Sequence, residues 1–531
     1  MISESIITYN LKSCLSSCLE ISKQEGFSDI TEVLIKVLDN LDAPMQLAII
    51  GKVSSSKSTL VNAILGKADV VGTGQMEETF NVSWLKYGPS DADIKVVFKD
   101  DTIRYIPRND WKNWSGQEKN AAKDKVRYLE VTYEHKILKS INIIDTPGLD
   151  SEKRIDSLNT INFLKDVRPD AIIMAFTRGL AQNTLELIKE FQCSGSNSFS
   201  VTPLTAIGLL TKTDFMWHIK EKDIRPNNKA QRDVIDGNIY SQFPEVKDAL
   251  FSILPICSML ALASSTIEDN DINLINKLSA TPDGILYEML HSANDFLDDY
   301  FQTELSIIER KYLLDKFGLY GIFEAVSLAQ NHNLTIDSLK SLFREISGYD
   351  CLEDMLYSHF GQRSILIKTQ SSNQIISAAC DKQREQINSD SKRKAIDSIQ
   401  ERLLTCLLSI FEYKQIDFLT KLYDKTMNID DPVAIEEYKR VCGEYGASVV
   451  SKLGIEGKPS VEKMLEISSN RNRQWNAKYH QAYHISRDKA ELYHMLSSSY
   501  DMMSKDIVEL SKKAIEAEKI INMTNTFFYG K

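Results

Sequence analysis

The chain lacks the features of a secreted protein and of a protein that coats nucleic acid. Its eight cysteines include no C-x-x-C pair, and Cys14 and Cys18 stand one helical turn apart in an apolar stripe. This usage is typical of reduced thiols in the cytoplasm. Acidic residues (74) outnumber basic ones (63), for a net charge of −11. Binding driven by phosphate neutralisation is therefore disfavoured, and we expect no nucleic-acid partner.

Long apolar runs are also lacking. The most apolar window, residues 249–265, is interrupted by Pro255 and several serines, and the first residues have no charged region followed by an apolar stretch. We therefore expect no transmembrane helix and no signal peptide, and a cytoplasmic location with the membrane surface as a peripheral site. No internal repeat or low-complexity tract is found.

The chain has enough apolar residues to form more than one hydrophobic core. A chain of 531 residues with 43% hydrophobic residues predicts two or three domains. Residues 4–41 carry apolar side chains at spacings of three and four, which predicts two amphipathic helices joined near Gly26. From about residue 285 nearly every segment has a helical pattern, with a turn at 345–350.

Between these helical regions lie short apolar runs of strand length. They are "QLAII" before Gly51, "INII" at 141–144, "AIIMAF" at 171–176, "TAIGLL" at 205–210 and "SILPIC" at 252–257. Helical segments alternate with them, which indicates a mostly parallel sheet covered on both faces. The predicted fold class is α/β plus all-α, with helices before and after the sheet domain forming one long helical bundle or stalk. We place the boundaries at 1–43, 44–362 and 363–531.

The stretch "GKVSSSKST" at 51–59 follows the first strand and precedes a helix. It resembles the phosphate-binding pattern G-x-x-x-x-G-K-[ST], with Gly51, Lys57 and Ser58 in register and Ser56 in place of the second glycine. In this pattern backbone N–H groups surround the phosphates, the lysine contacts them and the hydroxyl binds Mg²⁺. A lone match of this kind is weak evidence.

Further motifs stand at the ends of the other predicted strands. Asp145 to Gly148, "DTPG", offers a carboxylate beside Mg²⁺ and a glycine N–H near the γ-phosphate. Thr211 to Asp214, "TKTD", offers a carboxylate that can accept both donors of a guanine edge. Thr79, in "TGQMEETFNV", is placed to be the second hydroxyl on Mg²⁺ and to position a water, with Thr73 as its rival.

Together these elements resemble the dynamin-like large GTPases, whose pattern "GxxSxGKS … T … DTPG … TKxD" they follow. "VSWLKYG" after Thr79, "GLYGIFEAV" at 318–326 and "SGYDCLEDMLYSHF" at 347–360 are also similar to stretches of bacterial members. The resemblance covers roughly residues 44–362. It implies GTP and GDP with Mg²⁺ as ligands, self-association of the GTPase domains across the nucleotide, related dynamin-like partner proteins, and a helical stalk that meets a membrane.

By this resemblance each motif residue acquires a role. Ser54, Lys57, Thr79 and Gly148 would be catalytic, with Ser54 helping to hold a monovalent cation, K⁺ or Na⁺. Ser58, Thr79 and Asp145 would hold Mg²⁺. The residues expected to bind the nucleotide are Gly51, Ser54, Ser55, Ser56, Lys57, Ser58, Thr59, Asp145, Gly148, Thr211, Lys212, Asp214, Cys257 and Ser258.

Two departures from the family pattern weaken the expected site. Val53 stands where the family usually has glutamine. Ser56 has a Cβ where glycine tolerates a positive φ, and a strain of about 1–2 kcal/mol there would weaken nucleotide binding about tenfold. The leading hypothesis is a GTPase, and the alternative is a helical scaffold with a pseudo-GTPase domain that binds nucleotide weakly or not at all.

Other patterns have simpler explanations. Cys257 and Ser258 either contact guanine through backbone N–H groups or end a core strand. His480, His484 and His494 lack an accompanying zinc pattern. The basic stretches at 391–394 and 471–473 are solvated helix faces, with anionic lipid as the minority interpretation. The apolar run 403–411 is assigned to bundle packing, with a membrane-contacting tip as the minority interpretation. The heptad seam from Leu496 to Ile521 requires a partner helix, for which the N-terminal helices are candidates.

Overall fold

The computed structural model describes residues 4–52, 55–71, 81–110, 114, 125–148, 163, 167, 169–177, 203–219, 235–244, 246, 249–361, 363–446, 448–455 and 457–529. The chain divides into two compact units. One is Ala43–Gly361, and the other combines Met1–Asp42 with Gln362–Lys531. The first unit contains the sheet and the second is helical, so the predicted combination of an α/β domain with a helical bundle is confirmed.

In the described part of Ala43–Gly361, nine strands form one sheet in the order β4-β3-β5-β2-β6-β1-β7-β8-β9. Their bounds are β1 (Met45–Gly51), β2 (Ser83–Tyr87), β3 (Ile94–Phe98), β4 (Ile103–Ile106), β5 (Val126–Tyr133), β6 (Ile141–Asp145), β7 (Ala171–Thr177), β8 (Ala206–Thr211) and β9 (Ser252–Ile256).

Five neighbouring strands of the sheet, β6, β1, β7, β8 and β9, run parallel to one another. They are buried almost throughout, as expected for strands whose two faces are both covered. The runs predicted at 141–144, 171–176, 205–210 and 252–257 are confirmed as strands to within one residue. Antiparallel pairing appears on the other side of β6, where β2 meets β6 and β3 meets both β4 and β5. The strands β2 to β5 were not predicted from the sequence.

Helices of the same unit follow β1 and β9. They are α3 (Lys57–Ile64), α4 (Ser258–Ser265), α5 (Asp269–Ser279), α6 (Asp283–Met289), α7 (Ala293–Leu297), α8 (Ile307–Asn331), α9 (Ile336–Ser347) and α10 (Tyr349–Met355). Two apolar cores lie among the described residues of this unit. One lies along the sheet and includes Ile50, Ile144 and Met174. The other joins the helices after β9 and includes Leu260, Phe317 and Phe343.

Helix α8 is bent at Gly318, whose backbone is non-helical at φ 62 and ψ 174. Beyond the bend, Tyr320 and Phe323 place their rings 5.6 and 5.0 Å from the ring of Trp217. Trp217 lies three residues after Asp214, the last residue of the "TKTD" segment, so these ring contacts anchor α8 beside that segment. Gly318 is a glycine because this backbone conformation is essentially restricted to residues without a Cβ.

The second unit is built from helices. They are α1 (Glu4–Glu25), α2 (Ser28–Asp42), α11 (Ser364–Gln386), α12 (Asp390–Ser409), α13 (Phe411–Tyr423), α14 (Pro432–Val441), α15 (Val449–Leu453), α16 (Val461–Ala482) and α17 (Arg487–Tyr529). Helix α1 packs against α2 and α12, and α2 packs against α11. The two predicted N-terminal helices joined near Gly26, which has φ 73, are confirmed. Within the described residues, no helix has both the length and the hydropathy needed to span a bilayer.

The prediction that the N-terminal helices cover the heptad seam of α17 was wrong. Helix α17 packs against α16 and α14, with Leu496 and Tyr500 fully buried, whereas α1 uses its apolar stripe on α2 and α12. The apolar run 403–411 is divided by Ile410, which is non-helical between α12 and α13. Leu403, Leu407 and Ile410 are buried, while Leu404 remains 52% exposed, so bundle packing accounts for only part of this run.

The turn predicted at 345–350 is confirmed at Gly348, which ends α9 and begins α10 at φ 76. A Cβ built on Gly348 would lie 2.4 Å from the carbonyl oxygen of Pro255 in β9. Gly66 has a similar φ of 66, but a Cβ there meets nothing closer than 3.8 Å. A side chain at Gly66 would therefore meet backbone strain alone, whereas a side chain at Gly348 would meet both backbone strain and a steric clash.

We expect Gly348→Ala to lower the unfolding free energy by at least about 2 kcal/mol, because left-handed strain of about 1–2 kcal/mol is added to a clash with rigid backbone. Gly66→Ala should show the strain alone. Urea unfolding of both variants measures the difference. Equal losses of stability would show that the contact with Pro255 relaxes without cost.

Candidate functional site

The predicted motifs converge at one edge of the sheet. In the parallel ladder Ile49 of β1 pairs with Asp145 of β6, and Gly51 pairs with Ala175 of β7. On the far side of β7, Thr177 pairs with Thr211 of β8. Because these strands are parallel, their carboxyl ends lie together, which is where ligands bind in open α/β sheets.

The loop after β1 requires a glycine at its first position. A Cβ built on Gly51 would lie 2.3 Å from the carbonyl oxygen of Ala175 and 2.8 Å from Oγ of Ser55. Only a residue without a side chain lets the two backbones approach so closely. The hydroxyl of Ser55 is buried and has no hydrogen-bond partner among the described residues, so a polar group remains to be satisfied inside the loop.

Ser56 adopts the conformation that the sequence predicted for this position. It lies at φ 61 and ψ 27, in the left-handed region, as the residue before the first turn of α3. Its carbonyl oxygen accepts a hydrogen bond from the N–H of Leu60 at 2.9 Å, so the helix start is intact. The expected positive φ at Ser56 is thus confirmed, and the loop takes this shape despite the Cβ.

Lys57 turns back over the loop. Its Nζ donates to the carbonyl oxygens of Gly51 at 3.0 Å and Lys52 at 2.8 Å, and the side chain is buried. Burial lowers the pKa of Lys57 to about 8, and the nearby Asp145 opposes this shift. The ammonium group is thus held at the mouth of the loop by carbonyl oxygens, in the position from which it can contact a phosphate.

Asp145 is the charged residue at the centre of this edge. It is fully buried, its Oδ2 accepts a hydrogen bond from Oγ of Ser58 at 3.1 Å, and its Oδ1 has no partner among the described residues. Burial raises the pKa of Asp145 to about 6, while Lys57 and the Ser58 hydroxyl oppose this shift. A hydroxyl and a carboxylate with a free oxygen are the ligand types that Mg²⁺ takes beside a phosphate, so these residues fit the metal.

The rest of the "DTPG" segment is fixed to β1. The hydroxyl of Thr146 donates to the carbonyl oxygen of Ile49 at 2.8 Å, and Gly148 follows, half-buried. This contact holds the segment beside the loop that begins at Gly51.

A second group of motif residues lies at the end of β8. The hydroxyl of Thr211 donates to the carbonyl oxygen of Phe176 at 3.1 Å. Lys212 then takes a left-handed conformation, with φ 57 and ψ 41, and starts a short 3₁₀ turn over Thr213–Met216. This reversal brings the side chain of Asp214 back towards the sheet edge.

Asp214 is held by a thiol. The Sγ of Cys257 donates to Oδ1 of Asp214 at 3.2 Å. Burial raises the pKa of Asp214, with the Cys257 hydrogen bond and Lys212 opposing the rise. The hydroxyl of the neighbouring Ser258 is buried without a partner in the described part of the chain. A carboxylate and an unsatisfied hydroxyl therefore lie together where a polar base edge would bind.

The guanine contact expected from the backbone N–H of Cys257 is not supported by the structure. Its backbone N–H, proposed as a guanine donor, donates to the carbonyl oxygen of Ser347 at 2.9 Å. Cys257 acts through its thiol on Asp214 instead. Sequence reasoning had placed Cys257 at this site but had no signal for the contact, which depends on β9 lying beside β8.

Gly318 is a site element that sequence reasoning missed. A Cβ built there would lie 2.7 Å from Cε of Met259 and 3.9 Å from Oδ2 of Asp214, so the bend of α8 forms a wall of the Asp214 group. The only signal was the pair of glycines in "GLYG" within a helical pattern. A glycine inside a helix indicates a bend or close packing.

The remaining predicted residues are placed as follows. Thr59 lies in the first turn of α3, half-buried. Val53, Ser54, Thr73 and Thr79 lie outside the described residues, so their predicted roles stay predictions. Near His480 and His494 the structure shows ring contacts with Tyr479. Among the described residues no group of histidine, cysteine or carboxylate side chains is arranged to hold a metal ion.

Comparison with known proteins finds a family match over part of the chain. Residues 47–207 match the model of the Dynamin family. Dynamin-like protein 2 of Campylobacter jejuni is 33% identical over 136 residues, which are 25% of this chain and 21% of that protein. The isoniazid-induced protein IniC of Mycobacterium tuberculosis is 23% identical over 441 residues, 82% of this chain and 84% of IniC.

Among solved structures, two chains of an oligomerised bacterial dynamin pair align with 97% of this chain and 92% of their own length. Their identities are 14% and 15%, with a TM-score of 0.31. For that pair a mechanism of long-range sensing and tethering of membranes is described. The likeness to this family rests on the matched segment and on the motif residues at its sheet edge. Residues 47–207 of this chain therefore match the Dynamin family, and part of the chain is similar to a bacterial dynamin-like protein.

Proposed function

We propose that this protein binds GTP with Mg²⁺ and hydrolyses it. The observation that carries the proposal is the contact of Ser58 with Asp145 beside the buried Lys57. A hydroxyl, a carboxylate and an ammonium group at the end of adjacent parallel strands are the parts that P-loop enzymes use on the β- and γ-phosphates.

At the phosphate end, Lys57 would leave the carbonyl oxygens of Gly51 and Lys52 for the phosphate oxygens, exchanging two neutral acceptors for charged ones. Mg²⁺ would be held by Ser58 and by Asp145, and would neutralise charge that develops as the terminal phosphate is released. A cation at this point would return the pKa of Asp145 towards its ordinary value, because it favours the ionised carboxylate. The N–H of Gly148 would approach the γ-phosphate.

At the base end, Asp214 would accept the two donors of the guanine edge, and the stem of Lys212 would lie along the ring. Adenine presents no such pair of donors, so selectivity for guanine follows from hydrogen-bond satisfaction. The Cys257 thiol holds one oxygen of Asp214. Because a thiol is a weak donor, this oxygen stays available to a stronger donor on the base.

Finer steps are proposed from the resemblance to the family. GTPase domains of two copies would associate across the nucleotide, and Ser54 would help to hold K⁺ or Na⁺ against the transition-state charge. Thr79 would bind Mg²⁺ and position the attacking water. The change would pass to the helical unit and act at a membrane surface, together with related dynamin-like partners.

The alternative is a scaffold whose GTPase-type domain binds nucleotide weakly or not at all and so turns over little or none. The serine at the left-handed position 56 and the valine at position 53 favour it. Titration with a fluorescent non-hydrolysable GTP analogue in Mg²⁺ separates the two functions. Saturation below millimolar nucleotide supports the enzyme, and its absence at millimolar nucleotide supports the scaffold.

We expect Lys57→Ala and Asp145→Ala each to lower GTP turnover at least about 100-fold, the effect of losing one preorganised electrostatic group. Steady-state phosphate release measures the effect. Lys67→Ala is the control, because Lys67 is an exposed lysine just beyond α3 and should leave turnover unchanged. Turnover by Lys57→Ala equal to that of the unmodified chain would exclude the proposed site.

Asp214→Asn should lower GTP affinity by about 10–100-fold, because it replaces one charged acceptor with a donor, and it should improve binding of xanthosine triphosphate. Competition against the fluorescent analogue measures both. Asp69→Asn, at an exposed carboxylate of the same unit, should change neither affinity. Binding of ATP as tight as GTP in the unmodified chain would contradict the role of Asp214.

The strain at Ser56 predicts a separate result. Ser56→Gly recovers about 1–2 kcal/mol of left-handed strain and loses about 0.4–1 kcal/mol to unfolded-chain entropy. Because the fold itself holds this conformation, we expect the gain mainly as a higher unfolding midpoint, with GTP affinity rising less than tenfold. Asp69→Gly, at a φ of 63 and away from the motifs, is the matched control. A tenfold gain in affinity without a gain in stability would show that the strain arises on binding.

A further inference from the structure

Four cysteines of the helical unit lie on three helices, of which α12 packs against both α1 and α11. Cys14 and Cys18 are on α1, Cys380 is on α11 and Cys406 is on α12. Cys18 and Cys380 are fully buried, whereas Cys14 and Cys406 are only half-buried. The nucleotide site uses none of them, and they lie outside the family-matched segment 47–207.

Cys14 and Cys406 face each other across the seam between α1 and α12. The Sγ of Cys14 lies 3.6 Å from the carbonyl oxygen of Arg402, one turn before Cys406. The Sγ of Cys406 lies 3.9 Å from the carbonyl oxygen of Asn10, one turn before Cys14. Each side chain therefore reaches the preceding turn of the opposite helix, and the two thiols cross the seam at the same level.

A third contact fixes the direction of the helices. The Sγ of Cys18 lies 3.7 Å from the carbonyl oxygen of Ile399. One turn forward on α1 thus corresponds to one turn back on α12, so the helices are antiparallel. Cys14 and Cys406 therefore lie level with each other, and Cys18 lies one turn further along the same seam.

The surroundings favour ionisation at one of these thiols. The hydrogen bond from Cys14 lowers the pKa of the Cys18 thiol, against the effect of burial, and Arg402 adds a smaller favourable charge. The guanidinium of Arg402 reaches across the same seam to Oγ of Ser17 at 3.3 Å. The neighbouring Cys18 thiol raises the pKa of Cys14 to about 11. Cys18 is therefore the thiol that ionises first, and Cys14 is the adjacent proton donor.

We propose that Cys14 and Cys406 are a site of disulfide formation, through which hydrogen peroxide links α1 to α12. Cys14 and Cys406 are half-buried and within reach of a small oxidant, whereas Cys18 has no exposed surface. The opposed side chains on antiparallel helices satisfy the need of a disulfide for two facing sulfurs.

The reaction balances with one molecule of peroxide. Cys14 transfers its proton to the Cys18 thiolate and attacks a peroxide oxygen, so that an S–O bond forms, the O–O bond breaks and hydroxide leaves. The sulfur of Cys406 then attacks that of Cys14. The S–S bond forms, the S–O bond breaks, and the departing hydroxyl leaves as water with the proton of Cys406. The hydroxide takes the proton from Cys18 and restores its thiolate.

The product would tie together two helices that are distant in sequence. Residue 14 precedes the unit Ala43–Gly361 and residue 406 follows it. A disulfide stabilises chiefly by restricting the unfolded chain, and more so when the closed loop is long. Oxidation should therefore raise the unfolding midpoint of the helical unit, and dithiothreitol should return it to its original value.

The test uses the full chain, treated with hydrogen peroxide, quenched with catalase, blocked with N-ethylmaleimide and cut with trypsin without reduction. Cleavage after Lys12, Lys23, Arg402 and Lys414 releases residues 13–23 and 403–414. We expect mass spectrometry to find these two peptides joined, and separate after dithiothreitol. A non-reducing gel should show the oxidised chain as a monomer.

Single substitutions identify the sulfurs. Cys14→Ser and Cys406→Ser should each abolish the joined peptides. Cys18→Ser should keep them but slow their appearance several-fold, because it removes the proton acceptor. Cys380→Ser, at a buried cysteine of the same unit, is the matched control and should change nothing. A disulfide within residues 13–23, a link that survives in Cys14→Ser, a link only between two chains, or no link in the unmodified chain would each overturn the proposal.

Discussion

The parallel pairing of β6 with β1 is the constraint on which the candidate site depends. It places Asp145 level with Ile49, two residues before the loop that begins at Gly51. The loop reverses within a few residues into α3, whose first turn then carries Lys57 and Ser58 directly over the buried carboxylate. A shift of one residue in this register would turn the Asp145 side chain to the opposite face of the sheet, and the contact with Ser58 would be lost.

Burial makes this contact chemically useful. Removing Asp145 and Lys57 from water is unfavourable for both charges, and their pKa values move towards neutrality from opposite sides. Their mutual attraction recovers only part of that cost. A free carboxylate oxygen in such a place is poorly satisfied by the protein itself. A divalent cation and a phosphate would supply the missing partners, so the local instability of the charges is itself a property suited to ligand binding.

Backbone strain is also found at the candidate site. In the described residues, five positions other than glycine have a positive φ, and two of them, Ser56 and Lys212, belong to the candidate site. One precedes the phosphate-loop helix and the other precedes Asp214, so each marks the reversal that points a functional side chain back at the sheet edge. Such strain persists where the surrounding fold over-determines the backbone. Gly318, which lies beside Asp214, is a third site position with an unusual backbone conformation.

The sequence by itself determined the elements whose signal is local. The apolar runs before Asp145, Thr211 and Cys257 predicted parallel strands, and the motif spacing predicted which residues would meet at their ends. The positive φ at Ser56 followed from the position it shares with a family glycine. These inferences succeeded because strand burial and loop geometry are encoded within a few neighbouring residues.

Only the tertiary structure decided the features that depend on contacts between distant segments. Strands β2 to β5 form the mixed side of the sheet, where β2 pairs in parallel with β5 and the other pairs are antiparallel. Helix α17 packs on α16 instead of α1. The hydrogen bond from Cys257 to Asp214 arises because β9 lies beside β8, and the facing of Cys14 and Cys406 arises because α1 packs on α12. An apolar stripe specifies that a helix must be covered, but its partner is selected by complementary packing among several similar surfaces, which no single stretch of sequence contains.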